Sequence, residues 1–205
     1  MTKKRVAVLI SGRGSNMMAL IDAAKAPDYP AEIVLVVSNR PDASGLDRAR
    51  DAGIATALVD NRPFAENRAA FERALDVQLQ AHHVDLLCLA GFMRLLTPWF
   101  VTRWSGRMLN IHPALLPQFK GLHTHRRALE AGATRHGATV HFVGPEMDEG
   151  PIIVQDSVPV LESDTEEALA QRVLEVEHRI YPQALRLVAE GRATFPIPGG
   201  QETSR

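Results

Sequence analysis

The feature that most constrains the fold is an alternation of short apolar runs with longer segments of helical periodicity. The runs RVAVLIS, EIVLVVS and VDLLCLAG are hydrophobic at nearly every position instead of at every second one. Strands with that pattern are usually buried on both faces, as in parallel sheets covered by helices on both sides. Segments such as NMMALIDAAK and ENRAAFERALDVQLQAH lie between such runs and have the period of amphipathic helices. The alternation therefore predicts an α/β fold, a doubly wound, mostly parallel sheet with helices on both faces.

The second half of the chain predicts two further strands and a long final helix. The runs ATVHFV and PIIVQDSVPV precede a segment from about Thr165 in which apolar residues recur at steps of three and four. Thr165, followed by two glutamates, is typical of a helix start, whereas Pro182 predicts a kink or break. Because the sequence contains no repeat and no linker, residues 1–190 are expected to form a single domain, with 191–205 as a loose C-terminal tail.

Composition and charge set limits on the partners of the chain. Of its 205 residues 45% are hydrophobic and 23% charged, as in ordinary globular proteins. A net charge of -1 gives no general reason to expect nucleic acid or an anionic membrane as a partner. No apolar run approaches the roughly 20 residues that span a bilayer, and the basic, apolar start continues into SGRGSN without a cleavage motif. These features favour a cytoplasmic protein, and the lone Cys88, in an apolar run, is expected to be a buried, inert thiol.

A glycine-rich turn at residues 11–16, SGRGSN, joins the first strand to the first helix. Glycines let the backbone turn tightly and direct amide N–H groups at an anion, and the start of a helix adds partial positive charge. The turn lacks the third glycine of a dinucleotide fingerprint and the Gly-Lys-Ser/Thr ending of a nucleoside triphosphate loop. It therefore predicts a site for a phosphate monoester. The alternative is a tight turn in which Ser15 or Asn16 only caps the helix.

Asn110 and His112 are the strongest candidates for reacting groups. They alternate with Ile111 in LNIHP, so both polar side chains of an extended strand end point the same way while Ile111 faces the core. In an open α/β sheet, ligands bind beyond the carboxyl ends of the strands. A histidine that acts as an acid or stays cationic near neutral pH usually has a carboxylate partner, and Asp148 in the loop MDEGP is the best candidate. As an alternative, Asp148 is an ordinary turn residue.

The other histidines suggest a metal site only weakly. His112, His123 and His125 are grouped in sequence, but neither a cysteine nor a His-Glu-x-x-His helix accompanies them, so no metal is expected. His141 can face either the site or the core. The remaining four are expected at the surface or at helix ends: His82, His83, His136 and His178.

Taken in order, the motifs SGRGSN, AGFMRLL, LNIHPALLPQFKGLHTHRRAL, TVHFV with MDEGPII, and EHRIYP closely resemble the folate-dependent phosphoribosylglycinamide formyltransferases of purine biosynthesis. The resemblance covers about residues 5–190, and its motifs are specific in combination. It implies a formyltransferase-type, Rossmann-like fold. It also implies transfer of a formyl group from 10-formyltetrahydrofolate, a co-substrate, to the amine of glycinamide ribonucleotide, by a monomer or homodimer that requires no metal.

The resemblance also implies roles for individual residues. Asn110, His112 and Asp148 match the catalytic trio of the family, and His123 matches a supporting residue near the reacting centre. The nucleotide-binding residues implied are Gly14, Ser15, Asn16 and Glu177. The folate-binding residues implied are Arg68, Met93, Arg94, Leu95, Leu96 and Asn110. The loop reads Asp-Glu-Gly where some relatives have two glycines after the aspartate, which leaves Asp148 in place.

Two other kinds of protein fit parts of the same pattern. Formyltetrahydrofolate hydrolases and methionyl-tRNA formyltransferases use the same trio, but they carry an additional N-terminal or C-terminal domain for which we expect no room in this chain. A catalytically silent module is the other alternative, in which SGRGSN binds a phosphate or nucleotide and NIHP is only structural. The chemistry expected of a transferase is stabilisation of an oxyanion by Asn110 and His112, with Asp148 balancing the imidazolium charge.

Overall fold

A computed structural model of the chain describes residues 2–64 and 67–196, and this part forms a sheet flanked by helices. In chain order the strands are β1 (Lys4–Ile10), β2 (Ala31–Ser38), β3 (Thr56–Leu58), β4 (Leu86–Leu89), β5 (Met108–His112), β6 (Arg135–Phe142) and β7 (Ile152–Pro159). The α-helices are α1 (Ser15–Ala24), α2 (Gly45–Asp51), α3 (Arg68–Ala81), α4 (Pro98–Arg103), α5 (Thr124–Glu130) and α6 (Glu166–Ala189). A short 3-10 helix, Arg62–Phe64, precedes α3.

The seven strands form one sheet in the order β3-β2-β1-β4-β5-β6-β7. Pairing is parallel from β3 through β5, whereas β6 runs antiparallel to both β5 and β7. The predicted α/β class with a doubly wound, mostly parallel sheet is therefore confirmed. From β1 the chain extends the sheet to one side through β2 and β3, and then crosses to β4 on the other side of β1. The strand order thus reverses between β1 and β4, where open sheets of this type bind ligands at the carboxyl edge.

Two hydrophobic cores lie on opposite faces of this sheet. Val6 and Val8 of β1 point into the core beneath α1, α2 and α6. Ala7 and Leu9 point into the other core, which α3 and α4 cover. Consecutive residues of one strand are thus buried on both sides, which explains why the strand sequences are apolar throughout.

Helix α6 begins as the sequence predicts. The Thr165 hydroxyl accepts a hydrogen bond from the Ala168 amide at 3.2 Å and so caps the first turn. The helix runs through Pro182 without a break, although proline removes one hydrogen bond of the helix. Tyr181 and Ala184 on either side are fully buried, so their packing against the sheet holds the helical path. Of the predicted buried stripe of apolar residues at steps of three and four, Leu187 is only half-buried, and the other members are buried: Leu169, Val173, Val176, Ile180 and Ala184.

His136 differs from the sequence expectation. Its side chain is 0% exposed, because β6 is an interior strand and the residues after β5 cover this part of it. The ring lies edge-on to Phe119 and to His125, with centroids 5.8 and 5.2 Å away. The prediction of a surface or helix-end position for His136 is therefore wrong.

The C-terminal segment is described only in part. Phe195 packs edge-on against Phe142 of β6 with centroids 5.7 Å apart. Residues 197–205, most of the predicted tail, lie outside the described residues. Among the helices that the structure describes, none combines the length and apolarity needed to cross a membrane.

Candidate active site

Asn110 and His112 lie at the carboxyl end of β5, and Ile111 between them belongs to the core on the face covered by α6. Strand β5 pairs in parallel with β4 and antiparallel with β6. The alternation in the sequence is therefore realised, and both polar side chains face the same side of the sheet. His112 is only 5% exposed, so what surrounds its ring decides its chemistry.

The imidazole of His112 lies between two oxygen acceptors. Its Nε2 lies 3.0 Å from the carbonyl oxygen of Phe119, and its Nδ1 lies 3.5 Å from Oδ2 of Asp148. Asp148 lies in the loop between β6 and β7 with a positive φ of 57°, and Oδ2 also accepts a hydrogen bond from the Gly121 amide at 2.9 Å. Only the doubly protonated imidazolium can donate to both acceptors. The site therefore provides an oxygen acceptor for each nitrogen of the ring.

His141 is the partner of Asn110. The two residues are paired across β5 and β6, and Asn110 Nδ2 lies 3.2 Å from His141 Nε2. His141 Nδ1 lies 2.8 Å from the carbonyl oxygen of Phe142. Burial lowers the pKa of His141, which favours a neutral ring with its hydrogen on Nδ1 and a lone pair on Nε2. That lone pair accepts one N–H of the Asn110 amide and leaves the other for a substrate oxygen.

The segment between β5 and α5 holds the Phe119 carbonyl in place. The Thr139 hydroxyl donates to the carbonyl of Ala114 at 2.7 Å and accepts from the amide of Leu116 at 3.1 Å. The peptide bond between Leu116 and Pro117 is cis. Sequence reasoning missed the contributions of His141, Thr139 and the Phe119 carbonyl. The strand pattern did not settle which face His141 occupies, and backbone groups leave no residue-type signal.

The turn after β1 presents unpaired amides at the start of α1. Gly14 is the N-cap, with φ 70°, and no side chain caps the helix, so neither Ser15 nor Asn16 acts as the cap of the alternative interpretation. Within the described residues, the amides of Gly14, Ser15 and Asn16 donate to no protein acceptor. The first turn of the helix also lacks an acidic residue. Free amides at a helix start bind anions such as phosphate.

Asn16 and Glu177 meet where α1 packs on α6. Asn16 Nδ2 donates to Glu177 Oε2 at 2.5 Å, and both side chains are buried. Burial raises the pKa of Glu177, while the hydrogen bond from Asn16 lowers it. Asn16 Oδ1 is buried and has no hydrogen-bond partner in the part of the chain described. The structure thus joins Glu177 of α6 to the residue that ends the glycine turn.

Apart from Asn110 on β5, the implied folate residues lie on the loop after β4 and on α3. Met93 and Leu95 are exposed at 63% and 62%, which is unusual for such apolar side chains and provides a surface for an apolar ligand. The Arg94 guanidinium lies over the Phe71 ring, 4.8 Å from its centroid. The two others are Leu96, half-buried against the core under α3, and Arg68, the exposed first residue of α3.

The loops after β1, β2 and β4 are tied together by one hydroxyl. Ser11 Oγ donates to Asn39 Oδ1 at 2.6 Å and accepts from the Met93 amide at 2.8 Å. The glycine turn and the exposed apolar loop after β4 are therefore fixed to each other at the switch point of the sheet.

His123 is exposed, whereas the single cysteine is buried. His123 is exposed at the N-cap of α5 with φ 56°, and its ring makes no hydrogen bond to the residues described. Burial raises the pKa of Cys88 to about 12, so the thiol is inert, as predicted. In residues 2–64 and 67–196, no group of three or more His, Cys, Asp or Glu side chains is arranged to hold a metal ion.

Comparison with known proteins places this chain in a family. The family model described as formyl transferase matches residues 4–185, and the chain belongs to that family. It is similar to the phosphoribosylglycinamide formyltransferase of Escherichia coli, at 49% identity over 91% of this chain and 88% of that protein. It is also similar to a crystal structure of glycinamide ribonucleotide transformylase 1 from Symbiobacterium toebii, with TM-score 0.91 and 50% identity over 96% of this chain and 92% of that one.

A longer protein also contains a similar segment. The trifunctional purine biosynthetic protein adenosine-3 of Bos taurus is 52% identical over 92% of this chain. The match covers 19% of that protein, so the chain spans about a fifth of its length.

Proposed function

We propose that this chain transfers the formyl group of 10-formyltetrahydrofolate to the amine of glycinamide ribonucleotide, a step of purine biosynthesis. The observation that carries the proposal is the pair formed by Asn110 and His112 at the carboxyl edge of the sheet. One has a free amide N–H directed by His141, and the other has a ring held between two oxygen acceptors. Relatives named for this reaction, at about half identity over most of both chains, support it.

In the proposed reaction the amine attacks the formyl carbon, and the carbonyl oxygen gains negative charge in a tetrahedral intermediate. Asn110 donates its free amide N–H to that oxygen, and the His112 imidazolium donates from Nε2, where the oxygen replaces the Phe119 carbonyl. Prearranged donors of this kind stabilise the transition state because the charge develops where they already point. Asp148 offsets the positive charge on His112.

The amine nitrogen then loses a proton, and the folate nitrogen gains one as it leaves. The bond from the formyl carbon to the amine nitrogen forms and the bond to the folate nitrogen breaks, while the amine proton passes through water, assisted by Asp148, to the departing folate nitrogen. The enzyme needs no covalent intermediate for this exchange.

The two substrates are assigned to opposite sides of the switch point between β1 and β4. The amides of residues 14–16 receive the phosphate of the nucleotide, and Glu177 contacts the same substrate. The folate occupies the surface formed by residues 93–96, with Arg68 nearby on α3. His123 supports the reacting centre from the start of α5.

An absorbance assay tests the proposal. The change in folate absorbance is followed after mixing the protein and 10-formyltetrahydrofolate, with and without glycinamide ribonucleotide. Turnover that depends on the nucleotide is the expected result. Turnover without it would indicate a hydrolase, and no turnover in either mixture would indicate a binding module, so either outcome contradicts the transferase.

A further inference from the structure

The glycine turn is held from behind by the main chain and one side chain of α2. The Gly45 amide donates to the carbonyl of Gly12 at 3.0 Å. The Arg48 guanidinium donates from Nη1 to the carbonyl of Arg13, also at 3.0 Å. Two consecutive carbonyl groups of the turn are therefore directed at the same helix.

These two bonds determine where the amides of the turn point. In a trans peptide the C=O and the following N–H point in opposite directions, so the N–H groups of Arg13 and Gly14 point away from α2. Gly14 adopts the left-handed conformation at φ 70°. Successive amides arranged through such a residue form a concave anion site, to which the start of α1 adds further N–H groups.

The two bonds are not equally replaceable. A Cβ on Gly45 would lie 2.5 Å from Ile10 Cδ1 and 2.8 Å from the Gly12 oxygen, so the backbone of α2 already sits against the turn. The peptide between Gly12 and Arg13 is thus fixed by main-chain packing. For the peptide between Arg13 and Gly14, the Arg48 side chain is the bond that α2 provides within the described residues.

The positive charge of Arg48 also influences helix α6. Burial lowers the pKa of His178, the neighbour of Glu177 on α6, and the positive charge of Arg48 lowers it further. The guanidinium charge therefore acts on α6 as well as on the glycine turn. Neither the motif nor its spacing points to this role, because Arg48 is an exposed residue in a short helix that also carries Arg50.

We infer that Arg48 is a positioning residue for the nucleotide: it orients the peptide between Arg13 and Gly14 so that the Gly14 amide is directed at the phosphate. The inference rests on the proposed function, because it assigns the phosphate of that substrate to these amides. Arg48 acts through the turn and touches none of the reacting atoms.

Steady-state kinetics of three variants test this role. Arg48→Met removes the bond, Arg48→Lys keeps a charged donor, and Arg50→Met removes the same charge from the same helix. Arg50 bonds to Asp47 and Thr56 and not to the turn. In Arg48→Met the KM for the nucleotide is expected to rise about tenfold, with kcat and the KM for the folate within about twofold. Arg48→Lys should recover most of the loss, and Arg50→Met should behave like the wild type.

Salt separates orientation of the peptide from simple attraction of the phosphate. At about 1 M salt the Debye length falls to about 3 Å, so attraction by an exposed charge is screened. The ratio of KM values between Arg48→Met and the wild type is expected to persist there. A ratio that falls to one, or an equal rise of KM in Arg50→Met, would overturn the inference.

A titration with inorganic phosphate provides a readout without turnover. The backbone amide resonances of Gly14 and Ser15 should shift on addition of phosphate in the wild type and saturate about tenfold less readily in Arg48→Met. Equal titration curves would overturn the inference. Arg48→Gln, whose side chain is too short to reach the turn, should match Arg48→Met and replaces it if that variant does not fold. A wild type that binds phosphate through these amides but does not formylate the nucleotide would contradict the proposed function and leave this result intact.

Discussion

The histidines of this chain differ in their surroundings. His112 lies between a carboxylate and a carbonyl, so both of its ring nitrogens can donate. His141 and His136 are buried, and burial lowers the pKa of each. A ring with an oxygen acceptor at each nitrogen thus stands beside buried rings that hold or pack against the site. This division of roles is set by one or two neighbouring atoms for each residue.

Removing either donor should slow the reaction without unfolding the protein. Asn110→Ala and His112→Ala are each expected to lower kcat by at least about a hundredfold, the scale of losing one oxyanion donor. Single-turnover and steady-state rates measure the effect, and circular dichroism monitors the fold. Asp148→Asn keeps the shape of the side chain but removes the charge that balances His112, and a similar loss is expected. Near wild-type turnover in His112→Ala would contradict its assignment.

His136 should make the folded chain sensitive to mild acid. Burial, with His125 and His112 adding to it, lowers the pKa of His136 to about 4 from an ordinary value of 6.5. The unfolded chain therefore takes up the proton first, and stability present above pH 6.5 is lost as the pH falls toward 4. The loss is on the order of 3 kcal/mol. Urea unfolding at several pH values should show this loss in the wild type and a smaller one in His136→Phe, with the exposed His83→Gln as control. An equal slope in all three would contradict the argument.

The buried charge of Glu177 is expected to lower the stability of the fold while it contributes to binding of the nucleotide. Because burial raises its pKa above 4.5, the folded chain loses stability as the pH rises from 4.5 through that raised value. Glu177→Gln removes the buried charge and retains an oxygen that accepts from Asn16. A higher Tm at neutral pH, together with a higher KM for the nucleotide, is the expected outcome in thermal unfolding and kinetics. A lower Tm would show that the charge stabilises the fold.

At the scale of elements, the site depends on how three strand ends are fastened to one another. The Ser11 hydroxyl uses its donor on Asn39 and one acceptor position on Met93. The glycine turn and the loop after β4 cannot move independently while both bonds hold. The two sides of the switch point are thereby coupled through a single buried oxygen.

Ser11→Ala should separate the two loops. A buried acceptor on Asn39 and the amide of Met93 lose their partner, which is expected to lower the free energy of unfolding by about 1–2 kcal/mol. The KM for the folate should rise as the loop after β4 loses its attachment. Ser44→Ala is a matched control, since Ser44 is exposed at the start of α2 and its side chain caps nothing. Equal stability of the two variants in urea would contradict the role of Ser11.

Sequence patterns predicted the elements better than the contacts between them. Uniformly apolar strands and the spacing of Asn110 and His112 were sufficient for the sheet and for the side that the site faces, because both follow from the period of a strand. The pairing of Asn110 with His141 depends on the register of two antiparallel strands, and the Phe119 carbonyl on the path of a loop. Neither leaves a periodic signal in one sequence.

On the scale of the whole molecule, two cores share one sheet. From Val6 to Ile10, the residues of β1 contribute alternately to one core and the other, so neither core can persist when the central strands separate. Residues 1–190 are accordingly predicted to unfold as a single domain. The acid sensitivity of His136 and the buried charge of Glu177 then act on one common free energy of unfolding.

Unfolding should be a single transition by probes placed in different parts of the fold. In a Trp99→Phe background, Trp104 reports on the core under α3 and α4, where it is fully buried. Its fluorescence and the far-ultraviolet circular dichroism of the helices should give coincident urea curves. Two separated midpoints would show that the two faces unfold independently.

The hydrogen bonds from α2 to carbonyl oxygens of the glycine turn affect which positions of the turn tolerate substitution over evolutionary time. The side chain at position 13 points outward and contributes nothing to the amides, so many residue types can occupy it without loss. Position 45 cannot drift in the same way, because any side chain there collides with Ile10 and with the backbone of the turn. Position 13 lies between the two peptides held by α2 and is thus expected to be the most variable position of the turn. Substitutions there are expected to leave recognition of the phosphate unchanged.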